Sequence, residues 1–167
     1  AVRAVLTGDA SLSVRPMGRV AEPLEAMGAS LRPLGEPGRL PLEIRGRRPL
    51  SPLSWTSAVA SAQVKSALLL AGLTGCAPVR LTEPRRSRDH TERLLAQMGV
   101  DLAEGPDADA WRVEMTEPPE RLEPLEFRVP GDPSSAAFLV ALAALGGAGG
   151  ALTLEGVGLN PTHTAFF

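Results

Sequence analysis

The 167-residue chain has a formal charge of −2 at pH 7 and carries sixteen arginines against a single lysine, Lys65. That balance excludes a long-range field for nucleic acid, so any anion recognition must be local and built on arginine. The lone Cys76 excludes an internal disulfide and fits a reducing cytoplasm; no Cys/His cluster has metal-ligand spacing, and the longest apolar run, Ala136 to Leu145, is too short to span a bilayer.

The length suits one hydrophobic core, or one domain and the opening of a second. Ala1 to Leu6 runs straight into Thr7-Gly8-Asp9 without the layout of a signal peptide, and Asn160 to Phe167 reads as the start of a helix without its end, so the chain is expected to be part of a longer polypeptide. Ala4 to Leu6 is a strand end. Arg15-Pro16 opens a helix to about Gly28, since proline suits the first helical position and keeps the residue before it out of α geometry; Leu24, Met27 and Leu31 then face inward. Leu40 to Arg45 alternates as a strand, Ser54 to Ser57 is a further strand, and Ala60 to Leu73 is a helix with a broad apolar face, closed by Gly72 and Gly75. Val79 to Thr82 is a strand, and Ser87 to Gly99 a helix entered through Asp89 with Glu92 at capping-box spacing. Trp111 to Met115 and Glu126 to Val129 follow as strands. Gly131-Asp132-Pro133 caps and starts a helix whose residues Ala136 to Leu145 fill a core. Gly146 to Gly150 turns the chain into a strand from Ala151 to Glu155, and Asn160-Pro161 starts another helix.

The chain repeats itself with a frame of about 71 to 73 residues. Met27-Gly28 answers Met98-Gly99, Leu42-Glu43-Ile44 answers Val113-Glu114-Met115, and Val79-Arg80-Leu81 answers Leu152-Thr153-Leu154. Ser61 falls on Ser134 and His90-Thr91 on His163-Thr164, where a third copy begins. A duplicated α/β unit with hydroxyls at helix starts suits anion binding, because free N–H groups and the helix dipole favour negative charge there.

Three places could carry that chemistry. Ser61-Ala62-Gln63 with Lys65 stands at a helix start. Either Ser61 is an ordinary cap beside a solvated Gln63 and Lys65, or Ser61 to Gln63 are the last extended residues, converging hydroxyl, backbone N–H and amide on one ligand. Arg15, just before Pro16, either grips a phosphate or carboxylate with two parallel hydrogen bonds or pairs with Asp9 on the surface. Ser87-Arg88-Asp89-His90-Thr91 repeats hydroxyl and guanidinium at a helix entry; its plainer reading is an Asp89 cap with exposed cations. Asp132 reads as a structural cap, and His90 and His163 have no neighbouring ligands that suggest a metal.

Four phrases, in this order, resemble the 5-enolpyruvylshikimate-3-phosphate synthase (EPSP synthase) family over nearly the whole chain. They are Leu6-Thr7-Gly8-Asp9-Ala10-Ser11-Leu12 with Arg15-Pro16-Met17, Ala60 to Gly72 (ASAQVKSALLLAG), Ser87 to Glu92 (SRDHTE), and Pro130 to Phe138 (PGDPSSAAF). Ala62 looks like the glyphosate-tolerant branch rather than the branch with two serines. The resemblance implies an α/β fold of repeated βαβαββ units, incomplete here, with residues 1–130 in the first of two domains and 131–167 forming the crossover and the start of the second. It implies that Ser61, Ala62, Gln63, Ser87 and Arg88 bind shikimate 3-phosphate, and that Arg15 with Gln63 meets phosphoenolpyruvate. The family's acid/base residues fall outside the matched phrases, so no catalytic residue is assigned here and the isolated chain is expected to be inactive. No metal or organic cofactor is implied, nor a membrane or nucleic-acid partner; the expected parent is a monomeric cytoplasmic enzyme.

Two departures stand out. Asn160-Pro161-Thr162-His163-Thr164-Ala165 replaces the family's usual Asn-Pro-Thr-Arg-Thr-Gly, and the family's opening lysine and arginine are not among these residues. The rival readings are the related UDP-N-acetylglucosamine enolpyruvyl transferase, which needs a catalytic cysteine in a loop that Cys76 does not match, and a non-catalytic binding or assembly fragment.

Overall fold

The structure, a computed structural model, describes residues 2–146 and 151–164. In chain order the elements are β1 (Arg3–Leu6), α1 (Ala10–Ser13), α2 (Gly18–Ala26), β2 (Ser30–Pro33), β3 (Leu42–Arg45), β4 (Leu53–Thr56), α3 (Ala62–Gly75), β5 (Val79–Glu83), α4 (His90–Gln97), β6 (Ala103–Asp107), β7 (Ala110–Met115) and α5 (Pro133–Leu145). They fall into two compact units, Ala1–Glu123 and Pro124–Phe167.

In the first unit, β4-α3-β5-α4-β6-β7 is one complete βαβαββ motif, with sheet order β4-β5-β7-β6. Only β4 and β5 run parallel, joined by the α3 crossover; the other pairs are antiparallel. The stretch β1-α2-β2-β3 reproduces the second half of that motif, with sheet order β1-β3-β2. The sequence repeat is thus a repeat of topology. Glu43 of β3 is gripped by Arg3 and Arg45, and Glu114 of β7, its counterpart, by Arg80 and Arg112. Met27 and Met98 cap the C-termini of α2 and α4, and Gly28 and Gly99 follow at φ +93° and +82°, a left-handed turn that a side chain would strain.

The core lies between α3 and its sheet, where Val64, Leu68 and Leu69 meet Val79, Leu81, Val113 and Met115, all buried. Gly72 does not close α3, contrary to the sequence expectation; it lies inside the helix, which runs to Gly75 and is capped by Cys76 in left-handed geometry. A Cβ on Gly72 would stand 2.6 Å from Val79 Cγ2 and 2.8 Å from Met115 Cε, so glycine here sets how closely α3 approaches the sheet.

Several boundaries shift for identifiable reasons. Asp9 caps a short α1 that the sequence reading missed, and α2 begins at Gly18, after Arg15-Pro16 rather than at it. Leu31 belongs to β2 instead of the preceding helix, though it is half-buried. Both β2 and β6, with Pro33 and Pro106, were unread; each is an edge strand, where a missing N–H is tolerated. The strands starting at Leu40 and Ser54 in the sequence reading run Leu42–Arg45 and Leu53–Thr56, and the helices expected from Ala60 and Ser87 start at Ala62 and His90.

The second unit departs more. Glu126 to Val129 and Ala151 to Glu155 form no ladder; one parallel bridge, Gly131 to Val157, lies two residues beyond each of the expected strands. Parallel pairs need cover on both faces, and these segments are mostly exposed. Helix α5 has its Asp132 cap, accepting from Ser134 N–H at 2.9 Å, but fills no core in this unit: Phe138, Leu142 and Leu145 are exposed. Asn160-Pro161 starts a turn rather than a helix, with Asn160 Oδ1 accepting from Thr162 N–H. The expected turn through Gly147 to Gly150 and the Ala165 departure lie outside the described residues.

Candidate functional site at three helix starts

Helix α3 begins because Ser61, extended at φ −144° and ψ 105°, turns its hydroxyl back to accept from Val64 N–H. The capping reading of this segment holds: Ser61 alone is extended and caps the helix, whereas Ala62 and Gln63 are already helical, so the reading in which Ser61 to Gln63 are all extended does not hold. Ala62 is half-buried and Gln63 exposed. Gln63 Oε1 accepts from Arg19 Nη2 at 3.2 Å, which joins the second residue of α3 to the second residue of α2. Because a guanidinium only donates, this contact fixes the amide's orientation and leaves its NH2 turned away from Arg19. Arg19 was not singled out in the sequence; its position four residues after Arg15 was the available signal.

Lys65 overturns the expectation of a solvated cation. It is 0% exposed, and its ammonium lies 2.6 Å from Glu92 Oε1 and 3.1 Å from Glu83 Oε1, two carboxylates that are 4% and 1% exposed. It also donates to the Ser87 carbonyl at 3.5 Å. Glu83 Oε1 in turn accepts from both the N–H and the hydroxyl of Ser87, at 2.8 and 2.9 Å. At the next residue of α3, Ser66 Oγ meets Thr91 Oγ1 of α4 at 2.6 Å. Thus α3 and α4 start side by side, with Ser61 and Gln63 on one and the Ser87-Arg88 loop leading into the other.

Burial pushes the Glu92 carboxyl above its ordinary range, against the pull of the Lys65 ammonium. The expected Asp89–Glu92 capping box is absent, since Glu92 turns into the core toward Lys65. Asp89 is itself buried and takes Arg86 and Arg93, each at 2.9 Å. Arg86 also reaches Glu104 and stacks over Trp111, 4.7 Å from the ring centroid, so the loop is held from its outer side as well. Ser87 is half-buried and Arg88 exposed.

Arg15 lies in the turn between α1 and α2, its N–H bonded to Leu12 O and its side chain exposed. The alternative Asp9 pair is not formed among the described residues, because Asp9 caps α1 through Leu12 N–H. Arg15 is therefore at the same end of α2 as Arg19 and its Gln63 contact. Neither Met17 at the start of α2 nor Asp89 at the start of α4 makes a side-chain cap bond. Cys76 lies at the far end of α3 from Ser61. In the second unit, Ser134 Oγ and His163 Nε2 are 3.3 Å apart.

A family model described as EPSP synthase (3-phosphoshikimate 1-carboxyvinyltransferase) matches residues 1–167. The 3-phosphoshikimate 1-carboxyvinyltransferase of Novosphingobium aromaticivorans is 49% identical over 166 residues, 99% of this chain and 37% of that protein. Its namesake in Thermus thermophilus is 52% identical over 162 residues, 96% of this chain and 36% of the other. A solved structure titled EPSP synthase from Acinetobacter baumannii aligns with a TM-score of 0.76 at 43% identity, covering 97% of this chain and 36% of that one. The chain spans little more than a third of the length of these relatives.

Proposed function

The chain belongs to the EPSP synthase family, and from that premise we propose that it supplies the shikimate 3-phosphate half-site for enolpyruvyl transfer from phosphoenolpyruvate to the 5-hydroxyl of shikimate 3-phosphate. The observation that carries this reading is the meeting of three helix starts, α2, α3 and α4, joined by Arg19–Gln63 and Ser66–Thr91. Such N-termini concentrate positive dipole ends and N–H donors, which is what a phosphate ester requires.

In this reading Ser61, the Ala62 backbone, Gln63, Ser87 and Arg88 hold shikimate 3-phosphate, and Arg15 with the Gln63 amide meets phosphoenolpyruvate. A phosphate at Ser87 has to compete with Glu83 for the hydroxyl proton, so Ser87 contributes less than Arg88, whose guanidinium carries full charge. Transfer passes through a tetrahedral adduct that then loses phosphate. The share of this chain is to orient two anions and exclude water; proton transfer falls to groups elsewhere in the family architecture. Residues 1–130 belong to the first domain and 131–167 to the crossover and the opening of the second. In this reading the parent is a monomeric cytoplasmic enzyme, and Ala62, where the other branch carries a second serine, supports the glyphosate-tolerant branch.

The position of Cys76 at the wrong end of α3 disfavours the UDP-N-acetylglucosamine reading. The remaining alternative is a fragment that binds or assembles without turnover. A chimera in which this chain replaces the matching segment of the Thermus thermophilus relative tests the proposal: it should form product from both substrates, whereas this chain alone should not. A folded chimera without turnover contradicts the function, and turnover by the isolated chain contradicts the half-site assignment.

A further inference from the structure

We infer that Lys65 and Glu83 are positioning residues that lock the first turn of α3 to the β5–α4 loop, so that the Ser61–Gln63 and Ser87–Arg88 halves of the site are set as one piece. This rests on the half-site reading for its functional meaning but on geometry for its substance. A single carboxylate oxygen, Glu83 Oε1, receives three donors: Lys65 Nζ from α3, and the N–H and hydroxyl of Ser87 from the loop. Lys65 closes the ring by donating to the Ser87 carbonyl, so both backbone polar groups of Ser87 are held from inside the fold.

A core could be filled at this point by apolar side chains at lower desolvation cost. The cluster instead buries one ammonium with two carboxylates, and its hydrogen bonds go to the loop that leads into α4. Buried polar networks of this kind favour one arrangement over near neighbours, because a slipped loop leaves charges unpaired in a poor dielectric. The Ser61 cap is one helical turn from Lys65, and Arg88 directly follows Ser87, so a shift of either segment is transmitted to the other. The Arg86 contacts with Glu104 and Trp111 hold the outer side of the same loop, while the Lys65 and Glu83 contacts tie its inner side to the start of α3.

The test compares Glu83→Leu, Glu83→Gln and Lys65→Met in the 167-residue chain by amide hydrogen exchange and by titration with shikimate 3-phosphate. Glu83→Leu should speed exchange at Ser87, Arg88 and the first turn of α3 at least tenfold more than at β7 amides. Glu83→Gln, which keeps the accepting oxygen, should recover part of this protection. Shikimate 3-phosphate affinity should fall at least tenfold in Glu83→Leu and less in Glu83→Gln. Exchange that rises equally across β5, β7 and the loop overturns the inference, since it marks a residue needed only for global stability. A wild-type chain that does not bind shikimate 3-phosphate contradicts the proposed function, while the exchange comparison still decides whether the lock exists.

Discussion

Lys65→Met removes the only ammonium in a cluster that holds two buried carboxylates, while keeping an unbranched side chain that fills most of the same space. Little cavity results, so the cost is electrostatic: Glu83 and Glu92 are left facing each other without the charge 3.1 and 2.6 Å away that offsets their desolvation. Breaking a buried pair from one side costs about 3 to 5 kcal/mol, and this lysine serves two partners, so the upper half of that range is expected near neutral pH. At urea slopes of about 1 to 3 kcal/mol per molar, the midpoint drops by roughly 2 M. Trp55 and Trp111 both lie in the first unit, which makes their fluorescence a direct report on this transition. The cost must also depend on pH. Glu92 already has a raised pKa, and losing the ammonium raises it further. Over the pH range where the folded variant holds a proton that the unfolded chain has lost, each unit of acidification returns about 1.4 kcal/mol. The deficit relative to wild type should therefore shrink between pH 7 and pH 5. A variant as stable as wild type at pH 7, or a deficit unchanged at pH 5, refutes the buried-cluster argument.

Glu92→Gln should flatten the pH profile of the wild type: a carboxyl with a raised folded pKa stabilises fully below its unfolded value and less as pH rises through the folded one, so thermal melts at pH 5 and pH 8 should differ less in the variant. Gly72→Ala should destabilise by about 1 to 3 kcal/mol through its clash with Val79 and Met115, despite alanine's better helix propensity; a gain in urea midpoint would contradict the packing. In the chimera, Arg15→Ala should lower kcat/KM for phosphoenolpyruvate by about 2 to 4 kcal/mol and affect shikimate 3-phosphate far less. Arg15→Lys should recover only part of this loss, because an ammonium cannot make the two-pronged contact. Equal losses for both substrates would assign Arg15 to folding.

Much of the first unit was legible because its elements announce themselves locally. Val79 to Thr82 and Trp111 to Met115 are read from their apolar content and the repeat, and Ser61 and Asp132 from their capping chemistry. The edge strands β2 and β6 escaped because Pro33, Gly105 and Pro106 look like loop residues until a neighbour supplies the hydrogen bonds. Lys65 was misjudged for a related reason. Its burial depends on Glu83 and Glu92, eighteen and twenty-seven residues away in sequence, and no local pattern encodes that pairing. Arg19 was hidden similarly, since its contact with Gln63 exists only once α2 lies beside α3. The second unit was over-read: Glu126 to Val129 and Ala151 to Glu155 have strand-like composition, but a strand exists only as part of a ladder, and the single bridge nearby joins Gly131 and Val157, just beyond both segments.

Titration of the 15N-labelled chain with shikimate 3-phosphate tests the central claim most directly. Amide shifts should be confined to the first turn of α3 and the loop from Ser87 to Arg88, with smaller changes at the start of α2, all following one saturation curve. Shifts scattered over the sheets, or an unchanged spectrum at millimolar ligand from a chain whose β5 and β7 amides are protected, would contradict the half-site.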